Sequence, residues 1–144
     1  MKNSFEFIAR GLIIKDNKIL LCKRKEKNYY FLPGGHVELG ETSMEALVRE
    51  IKEERGTSLK NISFIGLIEN IFKDSDGDHY EINSLFIANE INLENDLITK
   101  EDHLIFEFFS FSDFEKTNVL PKTLKRNILN WINDDKIFWN FEKQ

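Results

Sequence analysis

The sequence predicts an α/β fold in which a mixed β-sheet carries flanking helices. Strand-like runs stand before and after one isolated helical segment at residues 42–55, and this order does not match a regular series of βαβ units. The 144 residues contain no repeat, low-complexity tract or linker, so we expect a single domain over residues 1–144. A chain of this length hides about 70% of its unfolded surface when it folds, which is enough for a real core.

Five runs have the apolar content and the turn-like boundaries of β-strands. They are residues 4–14, 19–23, 62–72, 80–91 and 106–111. Polar residues 15–18 separate the first two runs and predict a turn. Residues 73–79 separate the next pair, and their Asp and Gly content predicts an acidic hairpin loop.

The segment at residues 42–55 predicts an amphipathic helix. Four apolar side chains recur at i, i+3, i+4 and i+7 and predict one buried stripe: Met44, Leu47, Val48 and Ile51. We expect Thr42 or Ser43 to cap the start of the helix, with Glu45 completing a capping box. Gly56 stands where a residue with positive φ closes a helix.

The C-terminal part predicts a second helix that begins at Pro121. Four of its side chains share one face: Leu124, Ile128, Trp131 and Ile132. The aromatic tail at residues 137–141 can pack either on this chain's own core or on a second subunit, which leaves a homodimer open. Thirteen phenylalanines in the chain predict a core rich in aromatic rings.

Charge and composition limit the classes of partner. A formal net charge of −5 argues against a nucleic-acid polymer or an anionic membrane as partner. A small phosphate-bearing substrate stays compatible with this charge, because a bound metal ion can reverse the local field. The single cysteine, Cys22, lies in an apolar run and is expected to be a buried, inert thiol. No run approaches the ~20 apolar residues that cross a bilayer, so we expect a cytoplasmic protein.

Acidic residues cluster on the helix at residues 42–55. At about 100° per residue, Glu50, Glu53 and Glu54 fall in one arc beside the apolar stripe, while Arg49 and Lys52 are expected to point elsewhere. Such a cluster is typical of a solvated helix face, and it is also compatible with a site for a hard divalent cation. The preceding Gly-Gly pair favours the cation site, because glycine lets the main chain approach a ligand closely.

Residues 35–57 resemble the signature of the Nudix hydrolases, G-x5-E-x7-R-E-U-x-E-E-x-G-U, in which U is aliphatic. The fixed positions are matched in order by Gly35, Glu41, Arg49, Glu50, Ile51, Glu53, Glu54 and Gly56. Thr57 is the one departure, at a position where an aliphatic residue is usual. Residues 30–35 and 108–114 are similar to flanking segments of the same family. The resemblance implies a Nudix-type α/β/α sandwich around a mixed sheet.

The resemblance also implies a metal-dependent reaction. It implies that Glu50, Glu53 and Glu54 hold Mg²⁺ or Mn²⁺, and that the main-chain carbonyl of Gly34 or Gly35 completes the shell. Glu41 and Arg49 are implied to form a structural charge pair, and Gly56 belongs to the same signature. The general base is expected to be one of these glutamates or Glu101, which we favour over Asp102.

The implied substrate is a small nucleotide, a nucleoside diphosphate linked to a group X. Arg10, Lys23 and Arg24 are candidates for phosphate contacts, and Tyr29, Tyr30 and Phe72 are candidates for stacking on a base; among these we favour Arg10, Arg24 and Tyr30. We favour a nucleoside triphosphate as substrate. The alternatives are ADP-ribose, a nucleotide sugar, a dinucleoside polyphosphate, or a Nudix-like regulator that binds nucleotide without turnover.

Overall fold

The structure is a computed structural model that describes residues 2–93 and 101–144. Seven strands form one sheet: β1 (Ser4–Lys15), β2 (Lys18–Arg24), β3 (Gly34–His36), β4 (Ser58–Asp74), β5 (Gly77–Ile91), β6 (Leu104–Phe109) and β7 (Phe138–Lys143). Three helices accompany it: α1 (Ser43–Arg55), α2 (Phe111–Lys116) and α3 (Lys122–Asp134). No helix in the described residues is long and apolar enough to cross a membrane.

The sheet is mixed, as the sequence predicts. Its strand order is β6-β2-β1-β5-β4-β7, and β3 pairs with β1 beside this path. The β1–β5 and β4–β7 pairs are parallel, while the other pairs are antiparallel. The parallel β1–β5 pair lies at the centre of this order, and β1 also pairs with β3.

The helices cover opposite faces of the sheet. Successive residues of a strand point to opposite faces, and Leu12 and Ile13 of β1 accordingly belong to two different clusters. Ile13 packs with Leu47 and Ile51 of α1. Leu12 shares its cluster with residues of α2 and α3, such as Phe114. This arrangement is the α/β/α sandwich that the resemblance implies.

The ends of α1 agree with the sequence. Thr42 caps the helix, and Thr42 and Glu45 form both hydrogen bonds of a capping box. Gly56 adopts a left-handed conformation with φ of 69° and donates its N–H to Lys52. The buried face of α1 differs from the prediction, because it consists of Ala46, Leu47 and Ile51. Met44 and Val48 are about two-fifths exposed, at 40% and 37%.

Aliphatic residues form most of the core, so the prediction of an aromatic-rich core is wrong. Only Phe86 and Phe114 among the described phenylalanines are fully buried. Other rings pack only partly buried at the edges of the two core clusters, such as Phe106 and Phe109, and Phe5 is 69% exposed. Cys22 is fully buried as expected, and this burial raises the pKa of its thiol to about 12.

Three short elements were not expected from the sequence: β3, α2 and β7. Ser110 caps α2 by accepting a hydrogen bond from the N–H of Asp113, so Phe111 begins a helix and does not end a strand. The aromatic tail adds β7 to the edge strand β4, and the Phe138 ring packs over Gly66. Of the two options for this tail, the structure therefore shows packing on the chain's own sheet.

Candidate functional site

Two glycines bring the main chain of β3 against both β1 and α1. Gly34 has φ of 149°, and a Cβ at this position would lie 1.9 Å from the carbonyl oxygen of Ala9. A Cβ on Gly35 would lie 2.3 Å from the side-chain carboxyl carbon of Glu50. The Gly-Gly pair therefore belongs to a short strand in which the missing side chains let the Glu50 carboxylate approach the main chain.

Arg49 ties the loop after β3 to α1. Its Nη2 donates to Glu41 Oε1 at 2.8 Å, and its Nε donates to Glu41 Oε2 at 3.1 Å. Nη2 also donates to the main-chain carbonyl of His36 at 3.0 Å. The Arg49 hydrogen bond is the main cause that lowers the pKa of Glu41. The expected charge pair is therefore present, with the two-pronged geometry that arginine forms with carboxylates.

The orientation expected for Arg49 was wrong. Instead of pointing away from the acidic cluster, its Nη1 lies 3.0 Å from Glu50 Oε1 and 3.2 Å from Glu53 Oε2. Glu53 lies four positions after Arg49, which is the spacing of neighbours on a helix surface. Glu53 is thereby turned toward Arg49, and its side chain is 54% exposed.

Glu50 and Glu54 form the buried end of the acidic cluster. The side chains of Glu50 and Glu54 are neighbours one helical turn apart on α1. Burial, and then the charge of Glu50, raise the pKa of Glu54 to about 8. Two carboxyl groups this close hold a proton between them unless a cation compensates their charge.

A cleft of about 670 Å³ opens beside these two glutamates. Its lining includes Gly34 and Gly35 together with Glu50 and Glu54. From there it runs over the sheet to side chains of β4, β5 and β7, including Asn70, Phe72, Glu81 and Glu142. The cleft is long enough to take a ligand that extends well beyond the glutamates.

The two arginines favoured as phosphate contacts, Arg10 and Arg24, both line this cleft, and the charges of Glu54 and Glu50 act on Arg10. Arg10 Nη1 donates to the carbonyl of Leu32 at 3.2 Å, and its guanidinium lies 5.5 Å from the centre of the Phe31 ring. Burial lowers the pKa of Arg10, although the nearby carboxylates oppose this effect. A guanidinium held beside carboxylates is well placed to take a phosphate oxygen.

Tyr30 does not belong to the cleft in the described part of the chain. Its ring packs edge-to-face on Phe109 at 5.0 Å, and its hydroxyl donates to Glu107 at 3.3 Å. Its neighbours Tyr29 and Phe31 line the cleft instead. The backbone bridges Cys22–Phe31 and Tyr30–Val119 fix this segment, so alternate side chains face opposite ways.

Glu101, the residue favoured as general base outside the helix, lies near Glu54. Both residues line a neighbouring cavity of about 370 Å³. Glu101 Oε2 lies 3.6 Å from Nδ1 of His103, a residue that lines the main cleft. Glu101 itself lines the neighbouring cavity and not the main cleft, and its catalytic role stays a prediction.

A buried ion pair that the sequence did not reveal supports the end of α1. Arg55 donates from Nε and Nη2 to the two carboxylate oxygens of Glu90, each at 2.6 Å. Thr57 donates its hydroxyl to the same carboxylate at 3.1 Å. Thr57 is the residue that departs from the aliphatic pattern, and its hydroxyl satisfies an acid that is almost fully buried. Glu90 follows the apolar run at residues 85–88 within a predicted strand, and this acid was the available signal.

The residues present fit a divalent cation at Glu50 and Glu54. Two adjacent carboxylates are the oxygen ligands that Mg²⁺ and Mn²⁺ prefer, and burial together with the charge of Glu50 raises the pKa of Glu54 despite the opposing charge of Arg10. In residues 2–93 and 101–144, no three acidic, His or Cys side chains converge as a complete ligand set. Glu53 joins the other two only if its contact with Arg49 is given up.

Comparison with known proteins agrees with this geometry. The family model described as NUDIX domain matches residues 6–132. A curated "ADP-ribose pyrophosphatase" from Methanocaldococcus jannaschii is 40% identical over 126 residues, covering 85% of this chain and 72% of that protein.

Solved structures show the same fold at lower identity. A MutT protein from Bacillus halodurans superposes with a TM-score of 0.75 at 17% identity, covering 96% of this chain and 90% of the other. A UDP-X diphosphatase superposes with a TM-score of 0.69 at 17% identity, covering 95% of this chain and 67% of the other. The fold and the family expected from the sequence are confirmed: this chain belongs to the Nudix hydrolase family.

Proposed function

We propose that this chain hydrolyses the pyrophosphate bond of a nucleoside diphosphate linked to a second group, with ADP-ribose as the preferred substrate. The observation that carries the reaction is the Glu50–Glu54 carboxyl pair beside Gly35 and Arg10 at one end of a long cleft. The choice of substrate is supported by the 40% identity to an ADP-ribose pyrophosphatase.

Glu50, Glu54 and Glu53 would hold a divalent cation, Mg²⁺ or Mn²⁺, with a main-chain carbonyl of Gly34 or Gly35. When bound, such an ion neutralises phosphate charge and makes a bound water more acidic. The ligand set needs Glu53 to turn from Arg49 toward its neighbours, a rotation that its exposed position allows.

The remaining steps belong to this chain's own side chains. Arg10 and Arg24 bind non-bridging phosphate oxygens and align the pyrophosphate along the cleft. Arg49 keeps the loop after β3 on α1, so that Gly35 and Glu50 stay in register. Glu101 accepts a proton from the attacking water, whose oxygen bonds to one phosphorus while the bridging oxygen leaves with the other. From ADP-ribose this gives AMP and ribose 5-phosphate.

A nucleoside triphosphate is the second candidate. Both arginines line the cleft and could take the additional phosphate that such a substrate carries. The two candidates predict different products, because hydrolysis of a triphosphate at the same type of bond releases inorganic phosphate or pyrophosphate.

A substrate panel tests the proposal. The purified chain is incubated with Mg²⁺ and with ADP-ribose, ATP, dGTP, 8-oxo-dGTP, UDP-glucose or diadenosine tetraphosphate, and the products are separated by ion-exchange chromatography. We expect kcat/KM for ADP-ribose to exceed the others by at least about tenfold. A higher value for a triphosphate would favour the second candidate. Absence of hydrolysis of every compound with both Mg²⁺ and Mn²⁺ would overturn the proposed activity.

A further inference from the structure

One end of the sheet is apolar on the face that points away from the cleft. Six side chains of β1, β5 and β7 share this surface, which we call the aromatic face: Phe5, Phe7, Tyr80, Ile82, Trp139 and Phe141. Glu81 stands between Tyr80 and Ile82 on β5, and it lines the cleft. Since successive side chains of a strand point to opposite faces, the aromatic face lies on the reverse side of the sheet.

Helix α1 covers the neighbouring part of this sheet face and begins beside Ser84. The hydroxyl of Ser43, the first residue of α1, lies 3.2 Å from the hydroxyl of Ser84 on β5. Leu47, further along α1, packs with Phe86, so the helix runs away from Ile82. Four rings beyond the helix are consequently exposed: Phe5 by 69%, Phe7 by 41%, Trp139 by 62% and Phe141 by 53%.

The rings of the aromatic face are connected through Glu69 of β4. Glu69 accepts a hydrogen bond from the Tyr80 hydroxyl and a second one, at 2.7 Å, from Trp139 Nε1. Phe5 stacks on Tyr80 with ring centroids 5.2 Å apart, and the Phe141 centroid lies 6.0 Å from that of Trp139. Each carboxylate oxygen of Glu69 thus has a donor within the chain, which lowers the cost of covering this surface with apolar groups.

The exposed apolar area is large for a single chain. At ~200 Å² per ring, the four exposed fractions leave roughly 450 Å² of aromatic surface uncovered. Two copies packed face to face would bury about 900 Å² from these rings alone, close to the ~1,000 Å² that a specific interface needs. Aliphatic neighbours such as Ile82 add to this area. Monomeric proteins rarely expose a contiguous apolar patch of more than a few hundred Å².

The charge of the chain and its edge strand favour a second copy, packed face to face, as the occupant. A net charge of −5 opposes binding to an anionic membrane. Pairing through the outer edge of β7 is disfavoured, because the Asn140 side chain accepts a hydrogen bond from the main-chain N–H of Phe141 at 2.8 Å. Packing of two sheets through their faces needs apolar side chains on both inner faces, and the aromatic face provides them.

We propose that the aromatic face packs against the same face of a second copy of this chain, around a two-fold axis that runs between β4 and β5 along their direction. Such an axis exchanges the margins of the surface, so Phe7 on β1 of one copy lies over Phe141 on β7 of the other. Lys143 shares its row with Phe5 and Tyr80, so it lies over these two rings of the other copy, where a cation is favourable. The cleft stays open on the outer side of each sheet, and the inference does not depend on the proposed function.

Sedimentation velocity of the purified full chain tests the dimer. We expect the wild-type chain to sediment with twice the mass of one chain at about 100 μM and to dissociate on dilution, because small interfaces dissociate in the micromolar range. Phe7→Glu and Phe141→Lys each place a charge in the interface and should raise the dissociation constant by at least about tenfold. Ile132→Glu changes a residue that is 37% exposed on α3, at the other face of the sheet, and should leave the dimer intact. Circular dichroism and urea unfolding show whether each variant is folded.

A mixture of the two interface variants tests the two-fold arrangement. In a mixed dimer the introduced carboxylate at position 7 faces the introduced ammonium at position 141, so an equimolar mixture should dimerise more strongly than either variant alone. Absence of this recovery overturns the arrangement. A wild-type chain that stays monomeric at the higher concentration overturns the dimer, and its co-flotation with phosphatidylcholine vesicles would assign the aromatic face to a lipid surface instead. Unchanged dissociation constants in folded Phe7→Glu and Phe141→Lys variants also overturn the inference.

Discussion

Glu54 lies one helical turn after Glu50 on α1, and both carboxyl groups line the cleft beside Gly34 and Gly35. Burial and the neighbouring charge hold the pKa of Glu54 at about 8, well above its ordinary value. The pair therefore retains a proton near neutral pH, and a divalent cation has to displace that proton. This competition makes the acidic pair experimentally distinguishable from a solvated helix face.

Cation binding should be coupled to proton release. Because Glu54 must lose its proton to act as a ligand, the affinity for Mn²⁺ should rise by roughly tenfold per pH unit up to about pH 8 and then level off. Isothermal titration at pH 6.5 and pH 8.5, in buffers of different ionisation enthalpy, measures both the affinity and the released protons. Glu54→Gln removes the titrating group and should abolish the pH dependence. A wild-type affinity that does not change over this range would show that the pair does not bind the ion.

Without the cation, Glu54 should destabilise the folded chain at high pH. In the unfolded chain this group ionises near pH 4.5, whereas in the folded chain its pKa is about 8. The contribution of this proton equilibrium to the stability of the folded chain is thus fully present below about pH 4.5 and is lost as the pH rises through 8. At pH 8.5 the free energy of unfolding of the Glu54→Gln variant should therefore exceed that of the wild type by about 2 kcal/mol, after allowance for solvent screening. Urea titrations with EDTA test this, and equal stabilities at pH 8.5 would refute it.

For activity, the several hydrogen bonds of the Arg49 guanidinium should matter more than its positive charge. Arg49→Lys keeps a positive charge but cannot bond both oxygens of Glu41 and the carbonyl of His36 together. We expect kcat to fall by about tenfold or more, because Gly35 and Glu50 lose their fixed relation. Lys52→Arg on the same helix serves as a control for a change of cation type. Wild-type kcat in a folded Arg49→Lys variant would argue against this role.

The buried Arg55–Glu90 pair should dominate the stability of the C-terminal end of α1. Glu90→Gln leaves a guanidinium without its counter-charge and should lower the free energy of unfolding by about 3 kcal/mol. Lys73→Ala provides a matched control, because the Lys73–Asp78 pair is about two-thirds exposed, at 63% and 64%. That substitution should change stability by less than about 1 kcal/mol. Equal effects of the two changes, measured by urea unfolding at pH 7, would contradict this ranking.

The parts of the fold that the sequence predicts are those with strong local patterns. The capping box at Thr42, the left-handed Gly56 and the Glu41–Arg49 pair depend on residues close together in sequence. The strands β1, β2, β4 and β5 have long apolar runs and were identified, with boundaries that differ by a few residues. Local propensity and spacing were sufficient for these features.

The features that were missed depend on tertiary contacts. β3 is a three-residue strand. A side chain at Gly34 would collide with Ala9, and one at Gly35 would collide with Glu50, and neither contact is visible from local sequence. Arg55 and Thr57 meet Glu90 across more than thirty residues. Met44 and Val48 fit a helical apolar stripe, but the sheet contacts α1 through Ala46, Leu47 and Ile51 instead. Side-chain period alone does not determine which part of a wide apolar face is covered.

The most direct test of the account compares hydrolysis and Mn²⁺ binding in Glu50→Gln, Glu53→Gln and Glu54→Gln, with Glu45→Gln as the control on the same helix. We predict that Glu50→Gln and Glu54→Gln each reduce kcat on the best substrate by at least roughly a hundredfold and weaken Mn²⁺ binding in parallel. We expect the same loss in kcat for Glu53→Gln if it completes the ligand set, and none for Glu45→Gln. Wild-type turnover and Mn²⁺ affinity in folded Glu50→Gln and Glu54→Gln variants would contradict the claim that this carboxyl pair holds the catalytic cation.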